Sequence, residues 1–133
     1  MPHTTPAWAI DTAGWRVADN GDVLSLTPCD SDATTLQFTT HHKTTGFIGD
    51  VELQELAQVG SPLLPPRRAV TCGEFRGYTT SCLKDDVYRR LWWLANADVY
   101  LRATYSCASD QRGKHDAVVD WMLRTLRRVR AAH

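Results

Sequence analysis

Apolar residues alternate with polar ones over much of the chain, and this pattern predicts a protein built mainly from β-strands. Leu36 and Phe38 fall on one face of a strand over residues 34–42. Before it, two apolar stretches flank Asn20 and Gly21, a pair that supplies the positive φ angles of a tight turn. The first third of the chain therefore predicts a hairpin followed by a third strand.

The second half predicts three longer strands that follow one another as an antiparallel meander. The first runs from Arg67 to about Leu83, and Gly73 and Gly77 indicate a bulge or a sharp bend within it. The other elements follow in order: a turn at 84–86, a strand over 87–95, a turn at 96–98 and a strand over 99–107.

Two segments have the spacing of helices. Asp50 is placed to cap a short helix over 51–59, and a longer helix is predicted over about 114–130, with its apolar residues in one arc. The order β-β-β-α-β-β-β-α predicts an α+β fold, with an antiparallel sheet of about six strands packed with two principal helices. Residues 1–133 form a single domain in this interpretation, and residues 1–13 are a loosely attached lead-in.

Composition narrows the class of protein. The 133 residues are 43% hydrophobic and 23% charged, as in ordinary globular domains, and the formal net charge is zero. Zero net charge gives no general attraction to nucleic acid or to a membrane, and no apolar stretch is long enough to span a bilayer. The N-terminus lacks the pattern of a signal peptide, and the four cysteines show no zinc-ligand spacing. We therefore expect buried free thiols in the reducing environment of the cytoplasm.

Motifs of catalysis are missing from the sequence. There is no phosphate-binding glycine loop, no GxSxG and no HExxH. His41 and His42 are adjacent on a predicted strand, so they point to opposite faces and are poorly placed to chelate one metal ion. Cys72 and His115 carry no local signature of a thiol and base pair. We therefore expect no enzymatic activity, no cofactor and no metal.

The densest aromatic stretch, residues 89–107, predicts a hairpin whose register depends on the length of its turn. Val99 and every second residue to Cys107 form an apolar face. A three-residue turn would place Leu91, Trp93 and Ala95 on that same face, whereas a two-residue turn would bring Arg90 into the core. Burying an unpaired arginine costs several kcal/mol, so the three-residue turn is predicted.

With that register, the second face of the hairpin combines arginine with aromatic residues, which are enriched among interface hot spots. A separate candidate is the tryptophan at the edge of the apolar arc of the last helix, which can anchor a partner if it is exposed. The predicted partner-binding residues are Arg90, Trp92, Tyr100, Arg102 and Trp121. Two alternatives stay open: a helix covers this face of the sheet, and Trp121 overlaps a sheet edge.

The second half of the chain resembles the PsbP-like fold group over about residues 67–130. The likeness consists of the strands Leu91-Trp-Trp-Leu94 and Val99-Tyr-Leu-Arg-Ala-Thr-Tyr-Ser-Cys107, a polar loop, and an apolar helix ending Met122-Leu-Arg-Thr-Leu-Arg127. That group includes the photosystem II subunit PsbP, a Ran-binding nuclear import factor, and bacterial secretion-associated adaptors and chaperones. The resemblance implies an antiparallel sheet sandwiched by helices and a habit of binding other proteins, with no catalytic residues to carry over.

These observations predict a non-enzymatic protein-binding module, such as a bacterial adaptor, a chaperone or a toxin-immunity protein. Its expected partner is another protein; nucleic acid and membrane are not expected, and a homodimer is compatible with the sequence. The alternative is a small-molecule-binding protein or an enzyme with a pocket between helix and sheet.

Overall fold

Strand-forming side chains at alternating positions produce ten β-strands among the residues that the computed structural model of the protein describes. The structure describes residues 2–5, 7–21, 23–30, 34–43, 46–49, 52–53 and 68–129. The strands are β1 (Pro2–Thr4), β2 (Trp8–Asp11), β3 (Arg16–Asp19), β4 (Val23–Thr27), β5 (Thr35–His42), β6 (Arg68–Cys72), β7 (Phe75–Lys84), β8 (Val87–Asn96), β9 (Val99–Ala108) and β10 (Arg127–Arg128). A 3₁₀ turn covers Ser109–Gln111, and an α-helix, α1, covers Asp116–Arg124.

The strands form two antiparallel sheets. Seven strands make the large sheet, in the order β3-β4-β5-β9-β8-β7-β6, and three make the small sheet, in the order β1-β2-β10. The hairpin of β8 and β9 lies near the middle of the large sheet, and both strands are ten residues long. The antiparallel sheet and the meander from β7 to β9 are therefore confirmed.

The predicted count of six strands and two principal helices is wrong. Strands predominate in the described residues, and α1 ends at Arg124 instead of continuing to residue 130. The Thr125 hydroxyl accepts the backbone N–H of Asp11 and donates to the carbonyl of Met122, after which Arg127 and Arg128 pair with β2. This pairing provides hydrogen-bond partners for the backbone groups at the second edge of β2. Tertiary contacts of this kind outweigh the preference of individual residues for a helix.

The N-terminal segment contributes two strands to the small sheet. Residues 2–4 and 8–11, within the expected loose lead-in, form β1 and β2, and Trp8 and Ile10 are each only 1% exposed.

The predicted helix over 51–59 lies mostly outside the described residues. The two residues of that range that the structure describes, Glu52 and Leu53, are helical.

The strand predicted from Arg67 to Leu83 is instead a hairpin of β6 and β7. Gly73 and Glu74 form its two-residue turn, in which Gly73 has φ +61°. A Cβ atom on Gly73 would lie 2.1 Å from the carbonyl oxygen of Leu126, so the glycine also lets the segment after α1 approach the turn. Glycine here reverses the chain, whereas the sequence pattern had indicated a bend.

Buried side chains pack on both faces of the central part of the large sheet. On one face, α1 and the small sheet pack on the main core, which includes Trp92, Leu94, Val99, Leu101, Ala103 and Tyr105. On the opposite face, Ile48 and Leu53 pack against Leu91, Trp93, Ala95 and Tyr100. The middle of β8 is therefore buried on both sides, which explains the unbroken apolar run Leu91-Trp-Trp-Leu94.

We expect Gly77→Ala to lower the free energy of unfolding by about 3 kcal/mol, because a Cβ there would lie 1.8 Å from the Trp93 carbonyl oxygen. Urea unfolding followed by tryptophan fluorescence measures the change. Gly49→Ala is the control, since a Cβ at Gly49 meets nothing within 4 Å. Equal stability of the two variants would contradict the close approach of β7 and β8.

Candidate binding groove between the helix and the sheet edge

The turn between β8 and β9 has two residues, Ala97 and Asp98, so the predicted three-residue turn is wrong. Asn96 pairs with Val99, and the ladder continues to Val87 and Ala108. Ala97 has φ +55°, a conformation that alanine seldom adopts. Tertiary hydrogen bonds hold the turn: the carbonyl of Ala97 accepts from the Ile48 N–H, and that of Asp98 from the Lys43 N–H, both at 2.8 Å.

This register places Arg90 on the main-core face opposite Tyr105, and the helix α1 makes that placement stable. The Arg90 Nη2 atom donates to Asp120 Oδ1 at 2.7 Å, and Nη1 lies 3.9 Å from Asp116 Oδ1. The guanidinium also lies 4.8 Å from the ring centroid of Trp92. Two aspartates four residues apart share one helix face, so α1 delivers both carboxylates to one arginine. The premise of an unpaired arginine therefore does not hold.

The five predicted partner-binding residues do not share one surface. Arg90 and Trp92 lie on the main-core face, whereas Tyr100 and Arg102 lie on the opposite face. Trp92 is 1% exposed and Tyr100 is 7% exposed, while Trp121 on α1 is 43% exposed. Their role in binding a partner stays a prediction.

Arg90 lies instead in a groove between α1 and the edge of the large sheet, which we call the α1–β6 groove. It consists of two cavities of about 480 and 470 Å³ that share Arg68, Thr79, Arg90 and Asp120. The residues lining one or both cavities include Arg68, Val70 and Cys72 of β6, Thr79 and Ser81 of β7, Tyr88, Arg90 and Trp92 of β8, and Asp116, Asp120, Leu123 and Arg124 of α1.

Two polar atoms in the groove form no hydrogen bond within the described residues. Arg90 Nη1 and Asp116 Oδ1 are both buried, and neither has a hydrogen-bond partner within the described ranges. Their separation of 3.9 Å is too long for a hydrogen bond between them. Arg68 and Arg124 are exposed at the groove. These donors and acceptors can hold a ligand that carries charged or hydrogen-bonding groups.

Burial changes the titration of two groups beside Arg90. It raises the pKa of the Cys72 thiol to about 11, and the nearby Asp120 carboxylate adds to the shift while Arg90 opposes it. Burial also raises the pKa of Tyr105, with further contributions from Cys107 and Asp116. Both groups are therefore neutral at physiological pH, and Arg90 with its two aspartates carries the charge at the base of the groove.

Sequence reasoning missed Asp116, Asp120 and Arg68 as parts of a site. One signal was available: Asp116 and Asp120 are four residues apart on the predicted helix, and Arg90 is an arginine within an apolar strand. What was missing was the position of α1 over β8.

Neither a metal-ligating cluster nor a membrane-spanning helix is found in the part of the chain that the structure describes. Nowhere in it do three His, Cys, Asp or Glu side chains converge as a metal site would require. Its helical segments include none with the length and apolar character needed to cross a membrane.

Comparison with known proteins gives likeness of fold only. No family model matches the sequence, and no curated protein matches it. A crystal structure from Bacteroides thetaiotaomicron VPI-5482 is similar, with a TM-score of 0.71 and 11% identity, over 99% of this chain. This chain spans only 49% of the length of that protein.

The solution structure of cyanobacterial PsbP (CyanoP) from Synechocystis sp. PCC 6803 is also similar. Its TM-score is 0.48 at 9% identity, over 97% of this chain and 92% of that one. The PsbP-like resemblance seen in the sequence is thus found again among solved structures, as a weak likeness of fold, and nothing about function is carried over from it.

Removing the partners of Arg90 should cost more stability than removing Arg90 itself. We expect Asp116→Ala/Asp120→Ala to lower the free energy of unfolding by about 2 kcal/mol, because it leaves a mostly buried guanidinium uncompensated. Arg90→Met should cost about 1 kcal/mol or less, because the Asp116 and Asp120 side chains are 36% and 51% exposed and can be hydrated. Urea unfolding at pH 7 measures both, with the exposed Asp110→Ala as a control. The opposite order would contradict this account of the register.

The buried thiol of Cys72 should react slowly with iodoacetamide. With a pKa of about 11, about one part in a thousand of it is thiolate at pH 8, and the side chain is 3% exposed. Cys29 is exposed and should be alkylated first. Timed alkylation followed by peptide mass spectrometry distinguishes the two sites, and equal rates would be inconsistent with the burial of Cys72.

Proposed function

We propose that this protein is a non-enzymatic protein-binding module, such as a bacterial adaptor, a chaperone or a toxin-immunity protein. An extended segment of the partner binds in the α1–β6 groove. The observation that carries this proposal is the position of the groove, which runs beside β6, the last strand of the seven-stranded sheet. The same proposal locates the module in the cytoplasm, in keeping with its four free thiols.

The edge of β6 supports binding by strand addition. Cys72 and Phe75 flank a two-residue turn and form a hydrogen-bonded pair, so alternate pairs along the hairpin are hydrogen-bonded as well. The N–H and C=O groups of Ala69 and Thr71 consequently point away from β7. Both residues are exposed, and no described strand lies beyond β6. An open edge of this kind pairs readily with an extended peptide.

The side chains on the groove side of β6 would provide selectivity. Arg68, Val70 and Cys72 alternate with Ala69 and Thr71, so three side chains of the strand face α1. Five strand residues extend over about 17 Å, enough to pair with about five residues of a partner. The helix then forms the second wall, and the partner segment would lie between strand and helix.

A proline at the edge tests this proposal. Peptides selected against the wild-type protein by phage display should bind Thr71→Pro about tenfold more weakly or worse, because proline removes an outward N–H and obstructs pairing. Fluorescence anisotropy measures the affinities.

The matched control is Val17→Pro on β3, the opposite edge of the sheet. The N–H of Asn20 donates to the Val23 carbonyl, so the backbone groups of Val17 also point outward. This variant should bind the selected peptides as the wild type does. Selected peptides that bind Thr71→Pro with undiminished affinity would rule out strand addition at β6.

A second candidate function is the binding or conversion of a small polar molecule in the same groove. It is favoured by polar side chains that converge on one 480 Å³ cavity, among them Ser81, Tyr88, Arg90 and Asp116. A metabolite that raises the melting temperature of the wild type and of Thr71→Pro, but not of Arg90→Met, would favour this function.

A further inference from the structure

We infer that the segment bound in the α1–β6 groove is acidic, with carboxylates that contact Arg68 and Arg124. This inference rests on the proposed function and adds the chemistry of the partner. Arg68 is the first residue of β6, and Arg124 is the last residue of α1. Both line the same cavity of about 470 Å³, one from the sheet edge and one from the helix.

The charges in the groove are unequally matched. Arg90 is neutralised within the groove, since Asp120 accepts its hydrogen bond and Asp116 lies close by. The side chains of Arg68 and Arg124 are exposed, and no side-chain hydrogen bond or ion pair joins either of them to another described residue. Arg90 with Asp116 and Asp120 carries a net charge of −1 at the base of the groove, and Arg68 and Arg124 carry +2 at its outer rim, so the groove as a whole retains one positive charge. That excess favours an anionic occupant.

The geometry of the sheet edge specifies that the anion belongs to a polypeptide. Ala69 and Thr71 offer alternating N–H and C=O groups, which another peptide backbone complements and a nucleic acid does not. On the groove side, Val70 and Leu123 lie in the same cavity as the two arginines. A strand paired with β6 would direct every second side chain into this space, where acidic groups meet Arg68 and Arg124.

Charge also disfavours a second copy of this chain as the occupant. Pairing two copies through β6 would place two Arg68 and two Arg124 side chains at one interface. Like charges brought together in this way oppose association. An acidic segment of a different protein neutralises the same arginines.

Three fluorescein-labelled decapeptides test the inference: alternating Glu-Val, alternating Ser-Val and alternating Lys-Val. In an extended conformation each presents its polar residues on one side, and only their charge differs. We expect the Glu-Val peptide to bind about tenfold more tightly than the Ser-Val peptide, and the Lys-Val peptide to bind most weakly. Raising the salt concentration to 0.5 M should reduce the preference for Glu-Val, because exposed charges are screened.

The variant Arg68→Gln/Arg124→Gln should lose the preference for the acidic peptide and retain weak binding of Ser-Val. Its control, Arg89→Gln/Arg127→Gln, removes the same number of exposed arginines from positions outside the groove and should keep the preference.

The outcomes separate this inference from the proposed function. Equal binding of all three peptides, lost in Thr71→Pro, would overturn the acidic preference and leave strand addition standing. A preference for Glu-Val that survives Arg68→Gln/Arg124→Gln would also overturn the inference. Binding of Glu-Val that is unchanged in Thr71→Pro would overturn strand addition, and no binding of any peptide to the wild type would overturn both.

Discussion

The pairing of Arg90 with two aspartates of α1 is the interaction on which the register of β8 with β9 and the adjacent groove depend. It permits an arginine on the core face of β8. The two-residue turn can therefore set the register in which Trp92 pairs with Ala103. It also orients α1, because Asp116 and Asp120 must both face the sheet. The free energy of a partly exposed ion pair is modest, so its importance lies in selecting one arrangement over others. Without these carboxylates the two-residue turn would bury an uncompensated charge.

This register gives the two adjacent tryptophans different surroundings. Trp92 lies in the main core beneath α1 and the small sheet, and Trp93 lies under the segment that contains Ile48 and Leu53. The aromatic and arginine residues that looked like one surface are therefore divided between the two faces of the sheet. What remains accessible near Arg90 is a groove at the sheet edge, where backbone groups and charged side chains are available together.

Several elements were predictable because their signals are local. Asn20 and Gly21 predict the first turn, Leu36 and Phe38 predict β5, and the meander from β7 to β9 follows from strand propensity and turn residues. For the β6–β7 hairpin the strand character was predicted, but the turn at Gly73 and Glu74 was not. A glycine within a strand pattern indicates a bend as readily as a reversal of the chain. The groove was not predictable, because its walls come from β6 and from α1, which are far apart in the chain.

The sequence by itself determined a single antiparallel meander, an apolar helix after it, and a chain without recognisable catalytic motifs. Alternation and turn chemistry act over a few residues, so they can be read without knowing the fold. Only the tertiary structure decided the length of the turn at Ala97, the end of α1 at Arg124 and the partners of Arg90. Each of these depends on contacts between distant segments: hydrogen bonds from Ile48 and Lys43, pairing with β2, and two helical carboxylates. Such contacts outweigh local preference. Because of them, Trp92 and Tyr100, which were predicted to bind a partner, are buried, and Arg90 lies in a charged groove.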